Sequence, residues 1–216
     1  MKNEHVVIAG DGQMGLAMAA AAVEAGAGRV QVWGPFESSV SELRRTRESP
    51  RLPGWPIPEP IELEFDPSAF AEGTVLVNAI PTQFMRSVWG RIASCVPAGA
   101  LVVSTAKGLE IGSGARPSEI LAASLDDPRI CALSGPTIAA ELIRRLPALM
   151  VAASPSSEAT ARTHQAFGTG WLRIYESDDL VGVELAGAVK NVIALAAGFC
   201  DGLELGSNAK SALLAR

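Results

Sequence analysis

Four apolar residues, Val6-Val7-Ile8-Ala9, run into Gly10-Asp11-Gly12-Gln13-Met14-Gly15 and then into an alanine-rich helical pattern. A buried strand that feeds a helix through three closely spaced glycines opens a βαβ unit. The chain must then supply further parallel strands to cover it. Gly10 permits the tight turn, Gly12 lets the backbone approach an anion such as a pyrophosphate, and Gly15 lets helix and strand pack closely. The free N–H groups at the helix N-terminus face the same point. With a strand before it and a helix after it, the motif reads as a dinucleotide site.

The rest of the chain continues the alternation. Apolar runs at residues 6–9, 30–33, 75–79, 101–104, 130–133, 149–152 and 172–175 predict buried strands. Residues 61–65 alternate as a strand with one wet face would. A helix is expected over residues 13–25, ended by Gly26 at a position that favours glycine. Phe36, Val40 and Leu43 mark one face of the next helix. Five prolines within residues 49–60 require a loop. Thr82 is placed to cap a helix carrying Met85, Val88, Trp89 and Ile92. This rhythm predicts an α/β fold of Rossmann type over residues 1–177, a mostly parallel sheet with helices on both faces.

From Asp178 the pattern changes to one long helix reaching about Phe199. A glycine-rich turn follows at residues 201–206, then a new helix near Asn208. Residues 178–216 are expected to begin an all-helical C-terminal domain that is incomplete at Arg216. A helix so short of partners would fray or recruit another chain, a homodimer being the simplest case.

At 216 residues the chain has room for one large domain, or one and the start of another. Its net charge of −5 argues against nucleic acid or an anionic membrane as the main partner, while leaving room for a local phosphate site. Cys95, Cys131 and Cys200 are odd in number and outside any metal-ligand spacing. They read as reduced core residues of a cytoplasmic protein with no metal site. Glu4, His5 and Asp11 break any signal-peptide core. No run is both long enough and free of charge to span a bilayer, so no membrane insertion is expected. His5 precedes the first strand and His164 sits in a polar helix; neither is assigned a catalytic role.

Two lysines stand out. Lys190 lies in Gly187-Ala188-Val189-Lys190-Asn191-Val192-Ile193-Ala194-Leu195, beside a stripe of Leu185, Val189, Val192 and Ala196 at core-facing helical spacing. Its ammonium must be paired, neutralised, used in chemistry, or carried to water on its stem. Lys107, in Ser104-Thr105-Ala106-Lys107-Gly108-Leu109, follows a strand at the end where open α/β sheets hold ligands. The alternative is a surface lysine before a turn glycine. Ser134-Gly135-Pro136-Thr137 follows another strand and forms either an anion cradle or an ordinary helix start with an early proline. The tip of the second strand, Trp33-Gly34-Pro35-Phe36, lacks the acid usual in NAD-specific folds until Glu37. Arg44, Arg45 and Arg47 lie further on, either within reach of a 2′-phosphate or on a solvated helix face.

Residues 10–15, Val32-Trp33-Gly34, residues 105–110, residues 134–137, residues 187–194 and residues 206–213 together resemble the NAD(P)-dependent glycerol-3-phosphate dehydrogenase family. Order and spacing match from about residue 5 to the last residue. The resemblance implies reversible reduction of dihydroxyacetone phosphate to sn-glycerol 3-phosphate with NADH or NADPH, supplying glycerophospholipid synthesis. It implies that Gly10, Gly12, Gln13, Met14, Gly15, Pro35, Lys107 and Ala139 contact the cofactor. It places Lys107, Gly135, Thr137, Lys190 and Asn191 at a phosphorylated small-molecule substrate. Lys190 would be the proton donor and acceptor, with Lys107 beside it.

The chemistry agrees with this. Hydride addition to a ketone builds negative charge on oxygen, which one lysine can protonate and the other stabilise. Two clustered ammoniums would also depress each other's pKa. Met14 replaces an aromatic residue usual in the family, and Pro35 a basic or polar one. The family's phosphate-gripping residues, an arginine–asparagine pair and an aspartate, lie beyond position 216. The chain alone is therefore expected to bind NAD or NADP with little or no turnover. The competing expectations are a related 3-hydroxyacid dehydrogenase and a catalytically silent dinucleotide-binding module.

Overall fold

A computed structural model describes residues 4–215. Strand β1 (His5–Ala9) passes through the glycine loop into helix α1 (Gln13–Glu24), followed by β2 (Arg29–Trp33), α2 (Glu37–Thr46), β3 (Ile61–Glu64) and β4 (Val75–Asn78). Next come α3 (Thr82–Ile92), β5 (Leu101–Ser104), α4 (Pro117–Ser124), β6 (Arg129–Ser134) and α5 (Ala139–Leu142). The last elements are β7 (Ala148–Ala153), α6 (Ser157–Phe167), β8 (Leu172–Ser177), α7 (Leu180–Gly202) and α8 (Gly206–Leu214).

The eight strands form one sheet in the order β3-β2-β1-β4-β5-β6-β7-β8. Pairings from β3 across to β6 are parallel, β6 and β7 are antiparallel, and β7 and β8 are parallel again. The chain departs to opposite sides of β1, with β2 and β3 on one side and β4 onward on the other. That makes the β1–β4 edge a topological switch point, where such sheets bind ligands.

Helices cover both faces, which is why the central strands are apolar throughout rather than alternating. Val6 and Ile8 pack with Leu16, Met18 and Phe167 on one side. Val7 and Ala9 pack with Phe70, Met85 and Trp89 on the other. There Trp33, Phe70 and Trp89 meet edge to face at 5.6 and 5.9 Å between ring centres, a favoured aromatic geometry. The outer strand β3 alternates as expected, with Ile61 and Leu63 buried and Glu62 and Glu64 turned outward.

Gly26, at φ +88°, ends α1 as its position demanded. Three details differ from expectation. Phe36 does not join Val40 and Leu43 in the core; it is the residue before α2 and is exposed. Thr82 is inside the first turn of α3, after Pro81, and its hydroxyl donates instead to the Lys107 carbonyl at 2.8 Å. The last helix starts at Gly206, two residues before Asn208.

The largest difference concerns α7. Its apolar stripe, Leu185, Val189 and Val192, is exposed, and its buried residues are Glu184 and Cys200. An apolar stripe records that a helix has a face to cover, and along α7 the covering from β6 and β7 reaches a different face. By length and composition this helix is also long and apolar enough to cross a membrane, although charged side chains interrupt it at Glu184, Lys190 and Asp201. Cys131 and Cys200 are buried free thiols and Cys95 is partly exposed. Burial pushes the Cys131 thiol up to about 11, which leaves it unreactive at neutral pH.

Candidate active site

Two cavities open along the C-terminal ends of β1, β4, β5 and β6. The first, about 630 Å³, is walled by the glycine loop on one side and by Pro35, Phe36, Ile80 and the exposed face of α3 on others. The glycines are required by contact as well as conformation. Gly10 has φ +122°, and a Cβ there would lie 2.9 Å from the Ala79 carbonyl oxygen. A Cβ on Gly15 would lie 1.9 Å from the Gly10 carbonyl oxygen, so α1 could not approach β1. Gly12 differs, since a Cβ there would meet only the Arg51 guanidinium, at 3.7 Å. The space over Gly12 is thus free of backbone and suits a diphosphate resting on the start of α1.

Gln13, Met14 and Pro35, which the resemblance assigned to the cofactor, line this cavity. The Gln13 amide donates to the Arg51 carbonyl. Arg44, Arg45 and Arg47 stay outside it. Arg44 bonds the Leu63 carbonyl and Glu64, Arg45 pairs with Glu42, and Arg47 bonds the Pro58 and Ile61 carbonyls. The cations that do line the cavity are Arg51 and Arg91, brought in by the proline-rich loop and by α3. Nothing local in the sequence marks them.

The second cavity, about 250 Å³, is lined by Lys107, Ser134, Gly135, Pro136, Gly187 and Lys190, among others. It joins the end of β5, the end of β6 and the first half of α7. Gly187 allows the meeting: a Cβ there would lie 3.2 Å from Ser134 Oγ and 3.6 Å from Lys107 Cγ. Gly135 is equally constrained, because a Cβ would lie 2.5 Å from the Leu149 carbonyl oxygen. Burial holds the Lys107 ammonium below the ordinary lysine range, and the Lys190 charge pushes it the same way. Lys190 itself is exposed and lines the cavity from α7.

The Lys107 segment is held from α3. Thr82 bonds its carbonyl, Gln83 donates to the Leu109 carbonyl at 2.8 Å, and Arg86 pairs with Glu110 at 2.7 Å. Gly108 turns the chain there at φ +101°. Upstream, buried Asn78 links β4 to this segment. Its Nδ2 donates to Ser104 Oγ at 3.1 Å, its Oδ1 accepts from Trp89 Nε1 at 2.8 Å, and its carbonyl accepts from the Thr105 amide at 2.9 Å. Asn78 was not legible from sequence, since its partners lie on α3, at the end of β5 and in the turn after it.

Thr137 is buried beside Pro136, and its hydroxyl has no hydrogen-bond partner among the described residues. Its amide does not join an anion cradle, because it bonds the Gly135 carbonyl at 2.9 Å. Ala139 is buried at the start of α5, and Asn191 is exposed on α7; neither lines the two cavities. The histidines lie elsewhere. His5 bonds Gln31 and the Glu72 carbonyl at the opposite end of the sheet, and His164 pairs with Glu176.

Known proteins match the chain along nearly its whole length. The family model for the NAD-dependent glycerol-3-phosphate dehydrogenase N-terminus matches residues 5–160, and that for the C-terminus of the same family matches residues 179–216. A glycerol-3-phosphate dehydrogenase [NAD(P)+] of Chlorobium luteolum is 37% identical over 98% of this chain and 65% of its own length. The one from Geobacillus kaustophilus is 36% identical over 99% of this chain and 63% of its own length. The crystal structure of the Coxiella burnetii enzyme superposes with a TM-score of 0.87 at 32% identity, covering 100% of this chain and 66% of that one. The chain thus spans about two thirds of the length of these relatives. On these matches it belongs to the NAD-dependent glycerol-3-phosphate dehydrogenase family.

Proposed function

We propose that this protein interconverts dihydroxyacetone phosphate and sn-glycerol 3-phosphate with NAD(H) or NADP(H), in the cytoplasm, supplying glycerophospholipid synthesis. The observation that carries the reading is the convergence of Lys107 and Lys190 on one cavity, at the same sheet edge as the glycine loop. The relatives' names supply the substrate class.

Gly10, Gly12 and Gly15, with the N-terminus of α1, would hold the cofactor diphosphate, while Gln13, Met14 and Pro35 wall the cleft. When bound, the nicotinamide supplies the hydride. Negative charge then grows on the former carbonyl oxygen of the substrate. Lys190 delivers a proton to that oxygen, and the Lys107 ammonium stabilises the charge before the proton arrives. Gly135 lets β7 pack closely against the loop that walls the cavity beside Lys107. On the resemblance, Thr137 and Asn191 are assigned to the substrate and Ala139 to the cofactor.

The proposal divides the chain into a nucleotide-binding domain, 1–177, and the beginning of a helical substrate domain, 178–216. The two family matches, ending at residue 160 and starting at residue 179, support that division. The test is oxidation of NADH and NADPH by dihydroxyacetone phosphate, set beside direct cofactor titration. Cofactor binding with a phosphate-independent preference for another ketone would remove the substrate assignment.

A further inference from the structure

We propose that Asp11 reads the adenosine ribose of the cofactor and selects a free 2′-hydroxyl, so that this chain takes NAD(H) in preference to NADP(H). The inference rests on reading the glycine-loop cleft as the dinucleotide site.

NAD-specific folds extend an acid from the tip of the second strand to the ribose hydroxyls. Here that position is Gly34, directly after Trp33 closes β2. A Cβ on Gly34 would lie 2.6 Å from Val40 Cγ2 and 2.9 Å from Asp11 Oδ2. The Asp11 carboxylate therefore stands where a side chain at position 34 would begin. The missing acid is supplied from the glycine loop instead of from the strand tip, and Gly34 is what makes room for it.

The carboxylate is held in place. Ser39, early in α2, donates its hydroxyl to Asp11 Oδ2 at 2.6 Å. Asp11 and Ser39 both line the cleft. Oδ1 makes no hydrogen bond among the described residues, so it is free to accept from a ribose hydroxyl. A 2′-phosphate in the same place would bring a dianion against a fixed carboxylate, which is strongly unfavourable.

The cations nearby do not reverse this. Arg44, Arg45 and Arg47 are engaged with other partners. Arg51 stands over Gly12, 3.7 Å from its notional Cβ, so it faces the diphosphate that both nucleotides share. Arg91 enters the cleft from α3, a different element from the one that carries Ser39.

Fluorescence titration of the chain with NADH and with NADPH tests the inference. NADH should bind about tenfold more tightly or better, the scale of one charge-assisted hydrogen bond. Asp11→Asn keeps the shape and removes the charge; it should bring the two affinities within about threefold of each other, chiefly by tightening NADPH. Ser39→Ala frees the carboxylate and should narrow the ratio in the same direction, and it carries the test if Asp11→Asn does not fold. Arg51→Ala should weaken both nucleotides alike. Equal affinities in the parent chain, or tighter NADPH, would overturn the inference, as would an unchanged ratio in Asp11→Asn. Selective loss of NADPH in Arg51→Ala would assign the 2′-position to that arginine and overturn it too. Failure of the parent chain to bind either nucleotide overturns the dinucleotide reading itself, and the inference with it.

Discussion

Glu184 accepts a 2.9 Å hydrogen bond from Arg116 Nη1, a contact that ties α7 to the start of α4. The same carboxylate accepts from the Ser118 amide at 2.8 Å and the Ser118 hydroxyl at 2.6 Å, and its side chain is only 2% exposed. One buried acid thus fixes the helix that carries Lys190, about two turns further on. Removing one member of a buried pair leaves the other uncompensated and costs roughly 3 kcal/mol. Glu184→Ala should lower stability by about that amount in urea unfolding, and Glu184→Gln by about half, because it keeps the shape and part of the bonding. An unchanged midpoint in Glu184→Ala would show that α7 is held by its apolar contacts alone.

The glycine loop separates folding from binding. Gly15→Ala places a methyl 1.9 Å from the Gly10 carbonyl oxygen, a backbone atom that cannot swing aside. It should cost about 3 kcal/mol, the upper end for overpacking, and weaken nucleotide binding as a consequence. Gly12→Ala meets only the flexible Arg51 side chain at 3.7 Å. It should unfold at the parent midpoint yet bind NADH at least about tenfold more weakly, because the methyl occupies the diphosphate's approach. If Gly12→Ala binds NADH normally, the diphosphate does not rest on this loop.

How far these features were legible in the sequence follows from the range of the forces that set them. Strands such as residues 101–104 were legible to the residue, because a strand covered on both faces must be an apolar run. The antiparallel entry of β7 was not, since side-chain periodicity carries no direction. Phe36 misled because a bulky apolar residue just before a helix need not share its buried face. Gly10, Gly12, Gly15 and Lys107 were legible because each sits in a local strand–turn context. Arg51, Asn78 and the approach of Asp11 to Gly34 were not, because each depends on segments far apart in the chain. The Glu184–Arg116 pair joins residues 68 positions apart and has no local signature.

Acid should loosen the Lys107 segment before it unfolds the sheet. Hydrogen bonds from Arg86 and Ser113 lower the Glu110 carboxyl from 4.5 to about 2. A depressed carboxylate contributes stability that is present above its unfolded value and lost as pH falls through the folded one. The window here runs from about pH 4.5 down to about pH 2. The pair is near solvent, so salt should reduce the effect. Amide protection at residues 107–113, with exchange read against the intrinsic rate at each pH, should therefore fall across that window, and Glu110→Gln should already show low protection at neutral pH. Equal protection in Glu110→Gln and the parent chain at neutral pH would show that Thr82 and Gln83 suffice to hold the segment.

Lys107 and Lys190 should report on each other. Burial is the larger cause of the lowered Lys107 pKa and the Lys190 charge the smaller. Lys190→Met removes only the second, so the Lys107 pKa should rise without reaching the ordinary lysine value of 10.5. The rate of Lys107 acetylation against pH, read by peptide mass analysis, follows the neutral amine and should shift to higher pH in the variant. The linkage has a definite sign. Between the folded pKa and 10.5 the unfolded chain binds more protons at this site, so raising the pH through that window stabilises the fold. Lys190→Met should narrow the window and flatten that rise. In an enzyme extended with the family's full helical domain, the same variant should keep its NADH affinity and lose roughly 10²-fold or more in turnover, the scale of a lost general acid. An unshifted acetylation profile would mean that the two ammoniums do not sense each other. Near-normal turnover would move the proton-transfer role away from Lys190 and leave Lys107 as the group to test next.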